Sequence, residues 1–293
     1  MIISVASGKG GTGKTTIAVS LSLSIESIED VQFLDCDVEE PNAHIFLKPT
    51  IKTQNKAYIP VPQIDETRCN YCGRCAEVCV YNAIAILPPS EGKKGNSLIF
   101  PQLCHGCGAC SALCPQGAIK EVNREIGVVE AGNCGRIEFI QGRLNIGEAI
   151  SPPLIRQVKK HIKPEKTVII DVPPGTSCPV VASLKGSDYS ILVTEPTPFG
   201  LNDLILAVEL LKIMNIPFGV VINRADLGTD EVDKYCYEQD IPVLMRIPFK
   251  REVAITYSKG EPMVKVFPQY KKDFTDLFNK IKKERCKREN RDS

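Results

Sequence analysis

The stretch Ser7-Gly8-Lys9-Gly10-Gly11-Thr12-Gly13-Lys14-Thr15-Thr16 restricts the fold of this chain more than any other. An apolar run (Ile2, Ile3, Val5) precedes it and another (Ile17, Val19, Leu21, Leu23) follows, which predicts a strand, a glycine-rich loop and a helix in succession. In that setting Gly-x-x-x-x-Gly-Lys-Thr is a cradle for the phosphates of a nucleotide triphosphate. Gly8, Gly10, Gly11 and Gly13 let the backbone turn tightly and aim successive N–H groups at phosphate oxygens, and the helix N-terminus adds partial positive charge. Lys14 is placed to reach the β- and γ-phosphates and the Thr15 hydroxyl to ligate Mg²⁺, with Thr12 and Thr16 in the same binding set.

A second lysine, Lys9, stands ahead of the glycine pair, where an ordinary phosphate cradle needs none. With it, Lys-Gly-Gly-Thr-Gly-Lys-Thr at residues 9 to 15 resembles the deviant Walker A of the MinD/ParA/Mrp/nitrogenase-iron-protein group. The resemblance implies an ATPase that binds ATP or ADP with Mg²⁺. It also implies a nucleotide-dependent homodimer in which Lys9 acts in trans.

At 293 residues the chain is long enough for one α/β domain carrying an insertion. A net charge of +1 offers no general electrostatic attraction to nucleic acid or to a membrane surface, and no nucleic-acid partner is expected. With a first strand starting at Ile2 and no apolar run of about 18 residues, a cytoplasmic protein is expected. Thirteen cysteines in that reducing compartment point to metal binding rather than disulfides.

Eight of those cysteines lie between residues 69 and 114, as two copies of C-x₂-C-x₂-C-x₃-C offset by 35 residues. The copies stay parallel through Tyr81-Asn82-Ala83-Ile84 and Gln116-Gly117-Ala118-Ile119, so the segment is an internal duplication. Each copy matches the run that holds a 4Fe-4S cluster, in which the fourth cysteine ligates the other cluster. One cluster is then expected on Cys69, Cys72, Cys75 and Cys114, and the second on Cys104, Cys107, Cys110 and Cys79. Tetrahedral zinc is the main alternative, but it typically uses paired C-x₂-C halves without the x₃ fourth ligand. Val80 stands where the second copy has Pro115, a departure that removes no ligand. The stretch resembles a bacterial-type two-cluster ferredoxin domain.

Carboxylates at the C-terminal ends of parallel strands lie where α/β folds place ligands. Val31 to Leu34 reads as a buried strand ending in the acidic stretch that contains Asp35 and Asp37. By resemblance to the MinD-like Asp-x-Asp switch, Asp37 is the candidate for orienting the attacking water and Asp35 lies near the Mg²⁺ shell. An acidic solvent-exposed turn is the competing reading. The prolines between Ile59 and Gln63 are expected to end regular structure, and Pro88 to Asn96 to form an exposed hairpin connection.

Thr167 to Asp171 is an uncharged, β-branched run that delivers Asp171 to the ligand edge, where it is expected to bind Mg²⁺ through water. The Pro173-Pro174-Gly175 turn after it resembles the switch II segment of the same superfamily. Cys178, seven residues past Asp171, has the spacing at which nitrogenase-type iron proteins place a cluster-bridging cysteine. Cys134 is a conceivable partner, and an incidental thiol is the plainer reading of both. Strands are expected at Tyr189–Thr194 and Phe218–Ile222. By resemblance, Asn223 at the end of the latter recognises the adenine edge, with Arg224 beside it and the segment around Pro248 closing over the base. A final helix carries Phe274, Leu277, Phe278 and Ile281 and then the basic residues Lys282, Lys283, Arg285, Lys287 and Arg288. Acidic residues dilute that basic face, so membrane attachment is not expected.

The whole chain thus resembles a MinD/Mrp-superfamily P-loop ATPase. The expected fold is α/β, a mostly parallel sheet with helices on both faces over residues 1–57 and 126–293, interrupted by an α+β ferredoxin domain at 58–125. The expected function is ATP-gated electron transfer to an unidentified redox partner. An iron–sulfur cluster carrier that delivers to an apo acceptor is the second expectation, and a MinD/ParA-like spatial regulator the third.

Overall fold

The computed structural model describes residues 1–289, with side chains to residue 286. Lys287 and Arg288 of the basic tail therefore lie outside the described side chains. In chain order the elements are β1 (Ile2–Ala6), α1 (Lys14–Ile25), β2 (Val31–Asp35), α2 (Ala43–Leu47), β3 (Thr50–Ile64), α3 (Arg74–Glu77), β4 (Ile84–Leu87), β5 (Asn96–Ile99) and α4 (Ala109–Ala112). Then come β6 (Ile119–Cys134), β7 (Ile137–Leu144), α5 (Pro152–Lys159), β8 (Thr167–Asp171), α6 (Cys178–Leu184), β9 (Tyr189–Thr194) and α7 (Pro198–Ile213). The chain closes with β10 (Phe218–Asn223), α8 (Glu231–Glu238), β11 (Val243–Ile247), α9 (Arg251–Ser258), α10 (Met263–Val266) and α11 (Gln269–Glu289).

Two compact units emerge. The first comprises residues 1–54, 129–143 and 155–293, and the second residues 55–128 and 144–154. Among the described residues one sheet runs in the order β11-β10-β9-β1-β8-β2-β7-β6-β3, and β4 pairs with β5 separately. From β11 to β7 every neighbouring pair is parallel. Strands buried on both faces need apolar, β-branched residues throughout, and β8 (Thr-Val-Ile-Ile-Asp) is buried at every position. The register sets Asp35 opposite Asp171 and Asp171 opposite Val5. The carboxylates of β2 and β8 therefore arrive level with the end of β1, where the glycine-rich loop begins.

The α1 helix is buried on nearly all sides, with Ile17, Val19, Leu21 and Leu23 inside and also Ser20, Ser22 and Ser24. Two of those serines satisfy their hydroxyls on the helix itself, Ser22 on the Ala18 carbonyl (2.9 Å) and Ser24 on that of Ser20 (2.7 Å). This is why its apolar residues show no one-sided stripe. Phe274, Leu277, Phe278 and Ile281 of α11 are buried in the same core.

One expectation is overturned here. The prolines do not end regular structure, because β3 continues through Pro60 and Pro62 to Ile64. It stands at the end of the strand order, and a strand with one unpaired side tolerates residues without an N–H. The hairpin expected at Pro88 to Asn96 joins the antiparallel β4 and β5. Among the described residues no helix is long and apolar enough to cross a membrane.

Candidate functional site

The glycine-rich loop opens onto a cleft of about 380 Å³. Gly10, Gly11, Gly13, Lys14, Thr15 and Thr16 form one wall, Asp37, Glu40, Asn42 and Pro174 a second, and Asn223, Arg224, Pro248, Phe249, Lys250 and Tyr257 a third. The loop, the two segments expected to act as switches and the expected base-binding segment thus converge on one space. Gly13 adopts φ 97°, a left-handed conformation that side chains rarely take, and a Cβ there would lie 2.7 Å from the Asn223 amide nitrogen.

Gly8, Lys9 and Thr12 do not line the cleft but shape it. The carbonyl of Thr12 accepts from the Asn223 amide at 2.8 Å, and the Asn223 oxygen accepts from the Arg224 N–H at 3.0 Å. Asn223, expected to read adenine, thus spends its oxygen and one N–H on the protein. It braces the loop against the end of β10. The Ser7 hydroxyl donates to the Lys9 carbonyl at 2.5 Å, and the Lys9 ammonium points to Glu195, 4.0 Å away.

The three carboxylates Asp35, Asp37 and Asp171 differ sharply. Asp35, expected near the Mg²⁺ shell, is fully buried with both oxygens occupied. One accepts from the Asp37 N–H (3.1 Å), the other from those of Asn42 (3.2 Å) and Ala43 (3.1 Å). It is the pin that shapes the loop presenting Asp37. Burial, and then the Asp171 charge, hold its carboxyl well above the usual range. Asp37 does line the cleft, and burial pushes it up to about 6 against the pull of Lys14.

Asp171 is 1% exposed, and neither of its oxygens has an aligned hydrogen bond. Burial raises its carboxyl, while the Thr15 hydroxyl and the Lys14 ammonium nearby hold it down. An unsatisfied buried carboxylate is costly unless a cation or donor arrives. Thr15, Lys14 and Asp171 together make a donor set suited to a magnesium-bound phosphate chain.

In the second unit the two cysteine runs fold alike. The helical turns α3 and α4 are 35 residues apart, as are three left-handed positions: Tyr71 with Gly106, Gly73 with Gly108, and Asn82 with Gly117. Four N–H···S contacts repeat at the same offset. Tyr71 N–H donates to Cys69 Sγ (3.4 Å) as Gly106 does to Cys104 (3.4 Å), and Ala83 to Cys79 (3.3 Å) as Ala118 does to Cys114 (3.3 Å).

Around these turns the thiols gather in fours across the duplication. Cys69, Cys72, Cys75 and Cys114 line one cavity, and Cys79, Cys104, Cys107 and Cys110 another. Burial raises the thiols of Cys75 and Cys104. Cys69 and Cys114 push Cys75 further, and Cys107 and Cys79 do the same to Cys104. Among the described residues no three His, Cys, Asp or Glu side chains close on a single metal ion. Cys134 packs against the main core and Cys178 is exposed at the start of α6.

Two features went unassigned in the sequence. Arg124 and Glu148 form a largely buried ion pair in the second unit, contributed by segments 24 residues apart that no motif connects. Glu195, 9% exposed, carries contacts to both Lys9 and Arg224. A signal existed for Glu195, a carboxylate just past the end of β9, the position that singled out Asp171.

A family model described as the CobQ/CobB/MinD/ParA nucleotide binding domain matches residues 3–263. An uncharacterized protein of Methanocaldococcus jannaschii is 35% identical over 231 residues, 78% of this chain and 79% of that protein. An iron-sulfur cluster carrier protein of Helicobacter pylori is 22% identical over 314 residues, 97% of this chain and 69% of that protein. The septum site-determining protein MinD of Pyrococcus horikoshii, solved with Mg-ADP, matches with a TM-score of 0.59 at 20% identity, over 94% of this chain and 93% of that one. That match spans the loop after β1, the strands that end in Asp35 and Asp171 and the parallel sheet built around them: the chain belongs to the CobQ/CobB/MinD/ParA family of P-loop nucleotide-binding domains.

Proposed function

We propose that this P-loop ATPase couples ATP binding and nucleotide-driven dimerisation to electron transfer through two 4Fe-4S clusters held by residues 58–125. The observation that carries the reading is the grouping of eight thiols into two sets of four, each with paired backbone N–H···S contacts, in a chain that also has the nucleotide cleft. Cys69, Cys72, Cys75 and Cys114 would hold one cluster, and Cys104, Cys107, Cys110 and Cys79 the other. The donor set fits: four thiolates complete a cubane, and N–H···S bonds favour the thiolate form and tune potential. The clusters supply one-electron chemistry.

In the nucleotide cleft, Lys14 holds the phosphates, Thr15 and Asp171 the Mg²⁺, and Asp37 orients water on the γ-phosphate. The segment that carries Asp37 leads through the short helix α2 into β3, the strand that enters the cysteine-rich module, so a switch displaced by the γ-phosphate would be joined to it through the chain. The test is an anaerobic redox titration followed by EPR, with iron and sulfide counts, with and without Mg-ATP analogue. Cluster potentials that move with nucleotide, and turnover that responds to cluster reduction, are expected. If both are indifferent, or if Lys14→Ala changes neither nucleotide affinity nor redox behaviour, the proposal is wrong.

The likeness to the Helicobacter pylori carrier protein favours a second reading, delivery of a cluster to an apo acceptor. Against it, no C-x-x-C pair follows Cys178. Transfer of a labelled cluster to an apo ferredoxin would establish it.

A further inference from the structure

Lys9 is not among the residues lining the nucleotide cleft, and its ammonium contacts a carboxylate of its own chain. That carboxylate, Glu195, follows β9 in a tightly bonded turn. The Thr197 N–H donates to the Glu195 carbonyl at 2.8 Å, Gly200 N–H to the Thr197 hydroxyl at 3.0 Å, and the Thr194 hydroxyl to the Gly200 carbonyl at 2.9 Å. The Glu195 side chain is 11% exposed and has two cations against it, Arg224 at 2.8 Å and Lys9 at 4.0 Å.

The two contacts are unequal, and the inequality matters. Removing the sole partner of a buried carboxylate is expensive because the charge is left uncompensated. Here Arg224 stays at ion-pair distance when Lys9 leaves, so Glu195 remains neutralised. Lys9 is held at the outer limit of an ion pair, with 31% of its side chain exposed. It is restrained, and its release costs little.

From this geometry we infer that Glu195 is a positioning residue that holds Lys9 in cis and sets how readily it is released to the nucleotide of a second copy of this chain. The inference rests on the proposed nucleotide-driven dimer and names the residue that opposes it. With the contact in place, an isolated subunit keeps Lys9 against Glu195. A second copy carrying a triphosphate offers a stronger anion, and Lys9 exchanges one for the other.

Two measurements on the full chain test this. Sedimentation velocity with Mg²⁺ and a non-hydrolysable ATP analogue gives the concentration at which half the protein is dimeric. Glu195→Gln is expected to lower it about threefold, the size of one partly exposed ion pair, and Lys9→Ala to abolish the dimer. In the nucleotide-free monomer, amine-reactive labelling of Lys9 is expected to be about threefold faster in Glu195→Gln. Glu195→Asp, which withdraws the carboxylate by one methylene, is expected to fall between, with the melting temperature of each variant reporting its folding. A wild-type chain that dimerises while Glu195→Gln dimerises no more readily overturns the inference alone, as does unchanged labelling of Lys9. A wild-type chain that stays monomeric at saturating analogue overturns the inference together with the dimer on which it rests.

Discussion

The amide of Asn223 donates to the carbonyl of Thr12 across 2.8 Å, joining residues 211 positions apart. The last residue of β10 thereby fixes the loop that is to receive phosphate. Asn223→Ala removes one hydrogen bond worth about 1 kcal/mol and frees a loop carbonyl. A roughly fivefold loss of ADP affinity is expected by isothermal titration calorimetry. Asn223→Asp is expected to be worse, because it sets a charged acceptor against a carbonyl.

Gly13 and Gly10 belong to the same motif but not to the same steric situation. Gly13 is in the left-handed region with the Asn223 amide in the way, whereas nothing lies within 4 Å of a Cβ at Gly10. Gly13→Ala is expected to destabilise the nucleotide-free protein by about 1–3 kcal/mol and Gly10→Ala by less than about 0.5 kcal/mol. Urea denaturation of the two variants decides the matter.

The switch carboxylates make stability depend on pH in an unusual direction. Asp37 sits at about 6 in the fold against 3.8 when free, and Asp35 and Asp171 are also raised. Between about pH 4 and pH 6 the folded state therefore binds more protons than the unfolded chain, so stability rises as pH falls through that window. Without nucleotide, the protein should resist denaturant better at pH 5 than at pH 7. Asp37→Asn should reduce that gain by on the order of 1 kcal/mol.

Asp171 separates folding from ligand binding. Its carboxylate is buried with neither oxygen in an aligned hydrogen bond, only the Thr15 hydroxyl and the Lys14 ammonium nearby offsetting its burial. Asp171→Asn should raise the melting temperature of the nucleotide-free protein by a few degrees, while removing most of the further rise that Mg-ATP produces in the wild type. Differential scanning calorimetry with and without Mg-ATP reads both.

The crossed grouping of cysteines makes a prediction about pairs. Cys69→Ser and Cys114→Ser should lose the same EPR signal, and Cys79→Ser and Cys104→Ser the other, each variant retaining about four of about eight irons per chain after anaerobic reconstitution. If Cys79→Ser instead matched Cys69→Ser, its neighbour in sequence, the crossed assignment would fail.

Much of this was legible in the chain itself. The loop from Gly8 to Thr16, the buried β8 that ends in Asp171, and the two copies of C-x₂-C-x₂-C-x₃-C are local signals, since each depends on residues within a few positions of one another. Backbone conformation, strand burial and thiol spacing are decided at that range, so sequence alone specifies a parallel α/β P-loop fold interrupted by a cysteine-rich module. What only the tertiary structure decided is which way long-range side chains turn. Asn223 braces Thr12, and β3 runs on through Pro60 and Pro62 because it ends the strand order. Lys9 rests on Glu195. Those choices depend on partners tens to hundreds of residues away and on which strand occupies the edge, and both exist only once the sheet has assembled.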